Sequence, residues 1–256
     1  MKIKGINVNK TTLRTKLLVY ILIPTILIFT ATLVYIVLNT KDMAVENARS
    51  YVDATTRESA NIVQGKFNSY MALLRTVAAV YHSYPEASKE QRKIVYDPIL
   101  KDVLLENPQF ISVWSNWELS ALDKNYPFEH GRQRINTIND GGVVRVIEEH
   151  LETDGIPTQG LYYQLKANPR EFMSEPYYFA YKGKEKDQIL EASPIVPIII
   201  DNKYAGQVGV DIEMNQFYDL IRDIKPFDGS YTMMISDQGT IISSPYPEYE
   251  NKPKIG

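Results

Sequence analysis

The sequence predicts an α+β fold: a transmembrane helix that continues into a long stalk helix, a mostly antiparallel sheet with helices packed to one side, and the start of a further, incomplete unit. Three observations lead there. Leu17 to Leu38 is an uncharged apolar run, Val63 to Tyr81 carries an apolar stripe at helical spacing, and from Gln109 onward short strand-like segments alternate with Gly, Asn, Asp and Pro clusters. The chain has 256 residues, 44% hydrophobic and 23% charged, enough for a sizeable core. It contains no cysteine, which excludes disulfides, thiolate zinc sites and cysteine nucleophiles.

Residues 1–16 form a short tail with Lys2, Lys4, Lys10, Arg14 and Lys16 and no acid. The net charge of the whole chain is -3, so the remainder is more acidic than the total implies and does not suit a nucleic-acid partner. Residues 17–38, as a helix, span roughly 33 Å, against a hydrocarbon core of about 30 Å. Pro24 removes one helical hydrogen bond, and the Thr25 hydroxyl is placed to help satisfy the freed carbonyl. The run exceeds the apolar core of a signal peptide and is followed by Asn39-Thr40-Lys41-Asp42 rather than a small-x-small cleavage site. The basic tail places the N-terminus in the cytoplasm and residues 39 onward outside.

Residues 39–84 read as one stalk helix. Val63, Phe67, Tyr70, Leu74, Val77 and Tyr81 share a face, and Val45, Ala48 and Val52 extend it less regularly towards the membrane. A helix of that length needs a partner, so the stalk is expected to form a homodimer. A second helix runs from Ser88, with Gln91 completing a capping box, to Glu106, and Asp97-Pro98 predicts a kink in it. Strands follow at Gln109–Glu118, Gln133–Ile138, Glu171–Lys182, Gln188–Ile200 and Lys203–Ile212, with helices at Leu161–Lys166 and Glu213–Ile224. Pro226-Phe227-Asp228-Gly229 marks a boundary, and Ser230–Ser244 reads as a hairpin turning at Asp237-Gln238-Gly239.

No catalytic or metal motif is present. His82, His130 and His150 are scattered, and Glu148-Glu149-His150 reads as a solvated charge run because adjacent side chains diverge. Neither a cofactor nor an enzymatic activity is expected. Aromatic density stands out instead: 18 tyrosines and 2 tryptophans, with Trp114 and Trp117 on one strand and Tyr162-Tyr163 and Tyr177-Tyr178 in pairs. Rings with polar tips, joined by a few charges, are how sites for small polar ligands are built; they also fill cores.

Residues 160 to 245 resemble the double Cache sensor domain found outside the membrane in bacterial chemoreceptors, sensor kinases and diguanylate cyclases. The resemblance rests on Leu161-Tyr162-Tyr163, Ser174-Glu175-Pro176-Tyr177, Ala192-Ser193-Pro194-Ile195-Val196-Pro197-Ile198, Tyr204 to Ile212, and Ser236-Asp237-Gln238-Gly239-Thr240. It implies a membrane-distal, PAS-like ligand-binding module over 85–225 and the start of a membrane-proximal module over 226–256. It implies a sensor of the bacterial inner membrane, a methyl-accepting chemotaxis receptor first, with a histidine kinase or diguanylate cyclase as alternatives. A membrane-anchored enzyme or adhesion module is the rival from another class. The second span and output domain such receptors carry do not occur by Gly256, so the chain is expected to be a piece of a longer protein.

That family often recognises amino acids or amines, and in its amino-acid pattern an arginine two residues before the aromatic pair grips a carboxylate and an acid two residues after the Pro-Tyr tyrosine grips an ammonium. Those positions hold Gly160 and Phe179 here. The candidate ligand-binding residues are therefore Trp117, Arg132, Tyr162, Tyr163, Tyr177 and Asp211. Arg132 stands in for the lost arginine or forms an ion pair, and Asp211 accepts from an ammonium or caps the helix after it. The ligand is expected to be small and polar, cationic or uncharged.

Overall fold

The computed structural model describes residues 12–158, 160–181, 188–244 and 246. The chain divides into two compact units, one ending at Arg57 and one beginning at Glu58. Both draw on a single helix, α1 (Leu13–Val80), with Pro24 inside it. In the first unit Leu17 to Leu38 turn apolar side chains outward all round, as a lipid-facing helix does. The length and apolarity of this stretch suffice to cross a membrane. The Thr25 hydroxyl donates to the Ile21 carbonyl at 2.7 Å. Proline withholds its amide from the carbonyl four residues back, that of Tyr20, so the expected relief falls one residue away from it.

In the second unit the helical stripe becomes core. Tyr70, Leu74, Val77 and Tyr81 are buried, and Val63 and Phe67 pack against them. A 3₁₀ turn over Tyr81–Ser83 ends the helix. The Ser88 hydroxyl accepts from the Gln91 amide at 3.2 Å while Gln91 Oε1 accepts from the Ser88 amide at 2.9 Å, the reciprocal cap expected there. The helix it opens is not one kinked rod. A short α2 (Lys89–Gln91) passes into a π-helical segment, Arg92–Tyr96, and then into α3 (Asp97–Glu106) with Pro98 in its first turn, where a missing amide costs nothing.

The sheet follows: β1 (Phe110–Glu118), α4 (Leu119–Leu122), β2 (Arg132–Asp140), β3 (Val143–Leu151), α5 (Leu161–Ala167), β4 (Phe172–Met173), β5 (Tyr177–Phe179), β6 (Ile189–Ala192), β7 (Pro194–Ile200), β8 (Lys203–Glu213) and α6 (Asn215–Ile221). Its eight strands are all antiparallel, ordered β3-β2-β1-β8-β6-β5, with β7 also on β8 and β4 on β7. β3 has no counterpart in the sequence reading. It is an edge strand whose outward positions carry Val143, Val146 and Ile147, so burial does not stamp an alternation on it. Gly141 and Gly142, both at positive φ, make the two-residue turn that pairs it with β2, and Asp201 and Asn202 do the same between β7 and β8. The expected strand over Glu171–Lys182 is two short pieces, and its last residue lies outside the described ones.

Ladder partners share a face, so the sheet has two distinct sides. One carries Val113, Trp117, Ile135, Val208 and Val210 and packs on the buried stripe of α1 and on α3. The other carries Ser112, Trp114, Asn116 and Glu118 of β1 opposite Asp211, Gly209 and Gln207 of β8. α5 covers this second face through Leu161 and Leu165, which pack with Trp114 and Ile195. The helices are thus on both sides rather than one. After α6, β9 (Met234–Ile235) and β10 (Ile241–Ser243) form the expected hairpin, with Ile242 in the main core.

Candidate functional site

Between the second face of the sheet, α5 and β4–β5 lies a cavity of about 520 Å³. Its floor is unusually polar for a sheet interior: Asn116, Glu191, Ser193, Gln207 and Asp211 line it and are all buried, with buried Ser112 and Glu118 on the same face of β1. Two backbone features shape it. β6 and β7 keep one register against β8 across the break at Ser193, whose amide donates to the Ser174 hydroxyl at 2.8 Å while the Ser174 amide donates to the Ser193 carbonyl at 3.0 Å. In that register Ser193 falls opposite Asp211, and its hydroxyl faces the carboxylate. On β8, Gly209 lies opposite Trp114, and a Cβ at that position would run into the indole ring. The glycine leaves a slot in which the indole lies over the strand, and this aims its Nε1 at Asp211.

Asp211 gathers four donors. Trp114 Nε1 donates to Oδ1 at 2.9 Å and Ser193 Oγ at 2.7 Å; Tyr181 Oη meets Oδ2 at 2.9 Å and Ser112 Oγ also donates there. Tyr177 Oη lies 2.8 Å from Ser193 Oγ, which already gives its proton to Asp211, so Tyr177 is the donor of that pair. Burial first, and then the neighbouring carboxyls of Asp211 and Glu191, hold the Tyr177 and Tyr181 phenols well above their ordinary range, so both stay protonated. The expectation that Asp211 caps the next helix is not met. α6 starts after Met214 with no side-chain cap.

A second cluster lies at the other end. Glu118 is buried and accepts from Tyr162 Oη and from Lys166 Nζ, each at 2.7 Å. Burial leads in raising the Tyr162 phenol far above its usual value. The Arg132 guanidinium sits 4.6 Å over the Tyr162 ring, donates to both oxygens of Glu152 at 2.8 and 3.2 Å, and reaches Asn116 Oδ1 at 3.2 Å. Burial works to raise the Glu152 carboxyl, but the hydrogen bonds and charge of Arg132 overrule it and hold the group below its ordinary range. Arg134, the other guanidinium of the cavity wall, is held by Glu149 at 2.9 Å.

Four of the six candidate residues line the cavity: Arg132, Tyr162, Tyr177 and Asp211. Trp117 does not. It points to the helix side of the sheet and stacks on Tyr84 at 4.5 Å and Tyr81 at 5.9 Å, because an odd step along β1 separates it from Trp114. Tyr163 turns away from the cavity, edge-on to His130 and Tyr162, since consecutive helical side chains diverge by about 100°. Missed by the sequence reading were Trp114, Glu175, Ser193 and above all Glu191, which only the strand register sets opposite Tyr177. Among the described residues no three acidic or histidine side chains converge to hold a metal ion.

No family model matches the chain, and no curated protein sequence matches it. Solved structures do match in fold. The extracellular domain of mmHK1S-Z2, described as a histidine kinase, aligns with a TM-score of 0.61 at 24% identity over 76% of this chain and 72% of that one. A structure named methyl-accepting chemotaxis protein X aligns at 0.62 and 18% identity, over 85% and 80%. The sensory domain of the Campylobacter jejuni chemoreceptor Tlp3, with isoleucine bound, aligns at 0.57 and 13% identity, over 82% and 75%. The chain has the α+β fold of these sensor domains.

Proposed function

We propose that the chain is the sensing part of a single-pass membrane receptor and that it takes a small organic cation into the cavity under α5. One observation carries the choice of ligand: the cavity wall holds more acid than base can answer. Glu175, Glu191 and Asp211 line it, Arg132 and Arg134 are each already held by a glutamate outside it, and Glu175 Oε2 is buried with no hydrogen-bond partner. A buried carboxyl stays neutral by holding a proton or ionises against a counter-charge, and a cationic ligand is the group free to supply that counter-charge. Tlp3 has been solved with isoleucine and with L-valine. A free amino acid also carries a carboxylate, for which this cavity offers no uncommitted guanidinium, so an amine without a carboxylate fits it better.

The fold shared with chemoreceptor and kinase ectodomains supports sensing, and the cavity lies between a sheet and a helix rather than on an open aromatic strip as adhesion to a polymer needs. In this reading residues 1–16 are cytoplasmic, 17–38 span the membrane, the stalk pairs with a second copy, and occupancy shifts the packing of α1 against the sheet. Chemotaxis is the first choice of output. Calorimetric titration of the chain in lipid nanodiscs with ethanolamine, phenethylamine, alanine and succinate tests the ligand class. Binding of the amines is expected; affinity confined to alanine or succinate overturns it.

A further inference from the structure

Asp211 and Glu191 stand on neighbouring strands, 5% and 1% exposed, and one phenol joins them: Tyr181 Oη lies 2.7 Å from Glu191 Oε2 and 2.9 Å from Asp211 Oδ2. A phenol owns one proton. With both carboxyls ionised, one of those two contacts sets lone pair against lone pair, so the trio needs a second proton. Asp211 has no place for it. A carboxylate offers about four acceptor positions, and Trp114, Ser193, Ser112 and Tyr181 occupy them. The extra proton therefore belongs to Glu191, which donates to Tyr181 while Tyr181 donates to Asp211.

The surroundings agree. Glu191 is paired with Glu213 on β8 and Tyr177 on β5, and Glu175 shares its cavity wall. Among the described residues the guanidiniums lining the cavity are Arg132 and Arg134, and both are committed to glutamates. Burial, and after it the charge of Asp211, push the Glu191 carboxyl up to about 8.

We propose, building on the cavity as a cation site, that Glu191 rather than Asp211 meets the ligand's ammonium group, and that the ammonium takes the place of the Glu191 proton. The exchange balances: neutral Glu191 and R–NH₃⁺ give a carboxylate–ammonium pair and one H⁺ released to solvent, with no covalent bond to the ligand changed. Asp211 is a positioning residue, fixing Tyr181, Ser193 and Trp114 around the exchange.

The test is titration of the full chain in nanodiscs with ethanolamine and phenethylamine from pH 6 to 9, in buffers of different ionisation enthalpy, which counts protons released. The dissociation constant is expected to fall about tenfold per pH unit from pH 6 to near 8 and then level off, with close to one proton released per amine at pH 6.5. Glu191→Gln should bind more weakly at pH 8.5 and lose both the slope and the proton release. Amine binding by the unaltered chain that is flat in pH and releases no proton overturns the exchange while leaving the cation site standing. No amine binding at any pH in that range overturns both.

Discussion

Asp211 is the residue on which the cavity's geometry converges, because four side chains from β1, the break between β6 and β7 and the segment after β5 aim their donors at it. Asp211→Asn puts an amide N–H where a donor already points. The expected loss is about 2–4 kcal/mol of stability, read as a lower denaturation midpoint in urea, together with loss of ligand binding. Glu191 makes a prediction of opposite character. Its carboxyl lies near 8 in the folded protein against 4.5 ordinarily. Between those values the native state holds a proton that the unfolded chain has released, so this group's contribution to stability falls as pH rises through the window and is constant above it. Glu191→Gln should therefore gain on the unaltered protein by up to about 1.4 kcal/mol per pH unit across that window, measured by urea unfolding at a series of pH values. Little of this was legible in the sequence. Asp211 could be singled out by its place after Tyr204-Ala205-Gly206-Gln207-Val208-Gly209-Val210, but Glu191 gains its meaning only from the register that sets it opposite Tyr177 and beside β8.

Among the elements, the stripe of α1 and the Ser88 cap were readable because each is a local pattern with a single physical cause. β3 and the split of β4 from β5 were not, since an edge strand lacks the burial that writes an alternation, and a break such as Ser193 is set by hydrogen bonds to a residue nineteen positions away. α5 was foreseen at nearly its observed length, yet not its side of the sheet. What fixes it there is ionic as well as apolar: Lys166 reaches from its last turn to buried Glu118 on β1 and to the Glu129 carbonyl at 2.9 Å. Lys166→Met keeps the stem of the side chain but strands the Glu118 charge. A cost of about 3–5 kcal/mol is expected, visible as a lower urea midpoint, and the paired change Lys166→Met with Glu118→Gln should recover most of it.

For the whole molecule, the two units draw on one uninterrupted helix, and the proposed stalk dimer would use a shallow groove along one side of α1, lined by Arg49 and Asp53 and by four uncharged residues, Val45, Ala48, Val52 and Thr56. Cysteines placed singly at those four positions should cross-link between copies in native membranes, while cysteines at Asn47 and Ala54, about half a turn round the helix, should not; uniform cross-linking at all six sites, or none, counts against the dimer. In the second unit the sheet is a partition with unlike chambers, a dry aromatic stack of Tyr81, Tyr84 and Trp117 on one side and the polar cavity on the other. The chain's two indoles fall one to each side, three residues apart. That division sets up an optical test of the proposed site: with Trp117→Phe the remaining indole, Trp114, stands against the Asp211 carboxylate in the cavity wall, so its emission is expected to shift when an amine is added, and unchanged emission on binding counts against the cavity as the site.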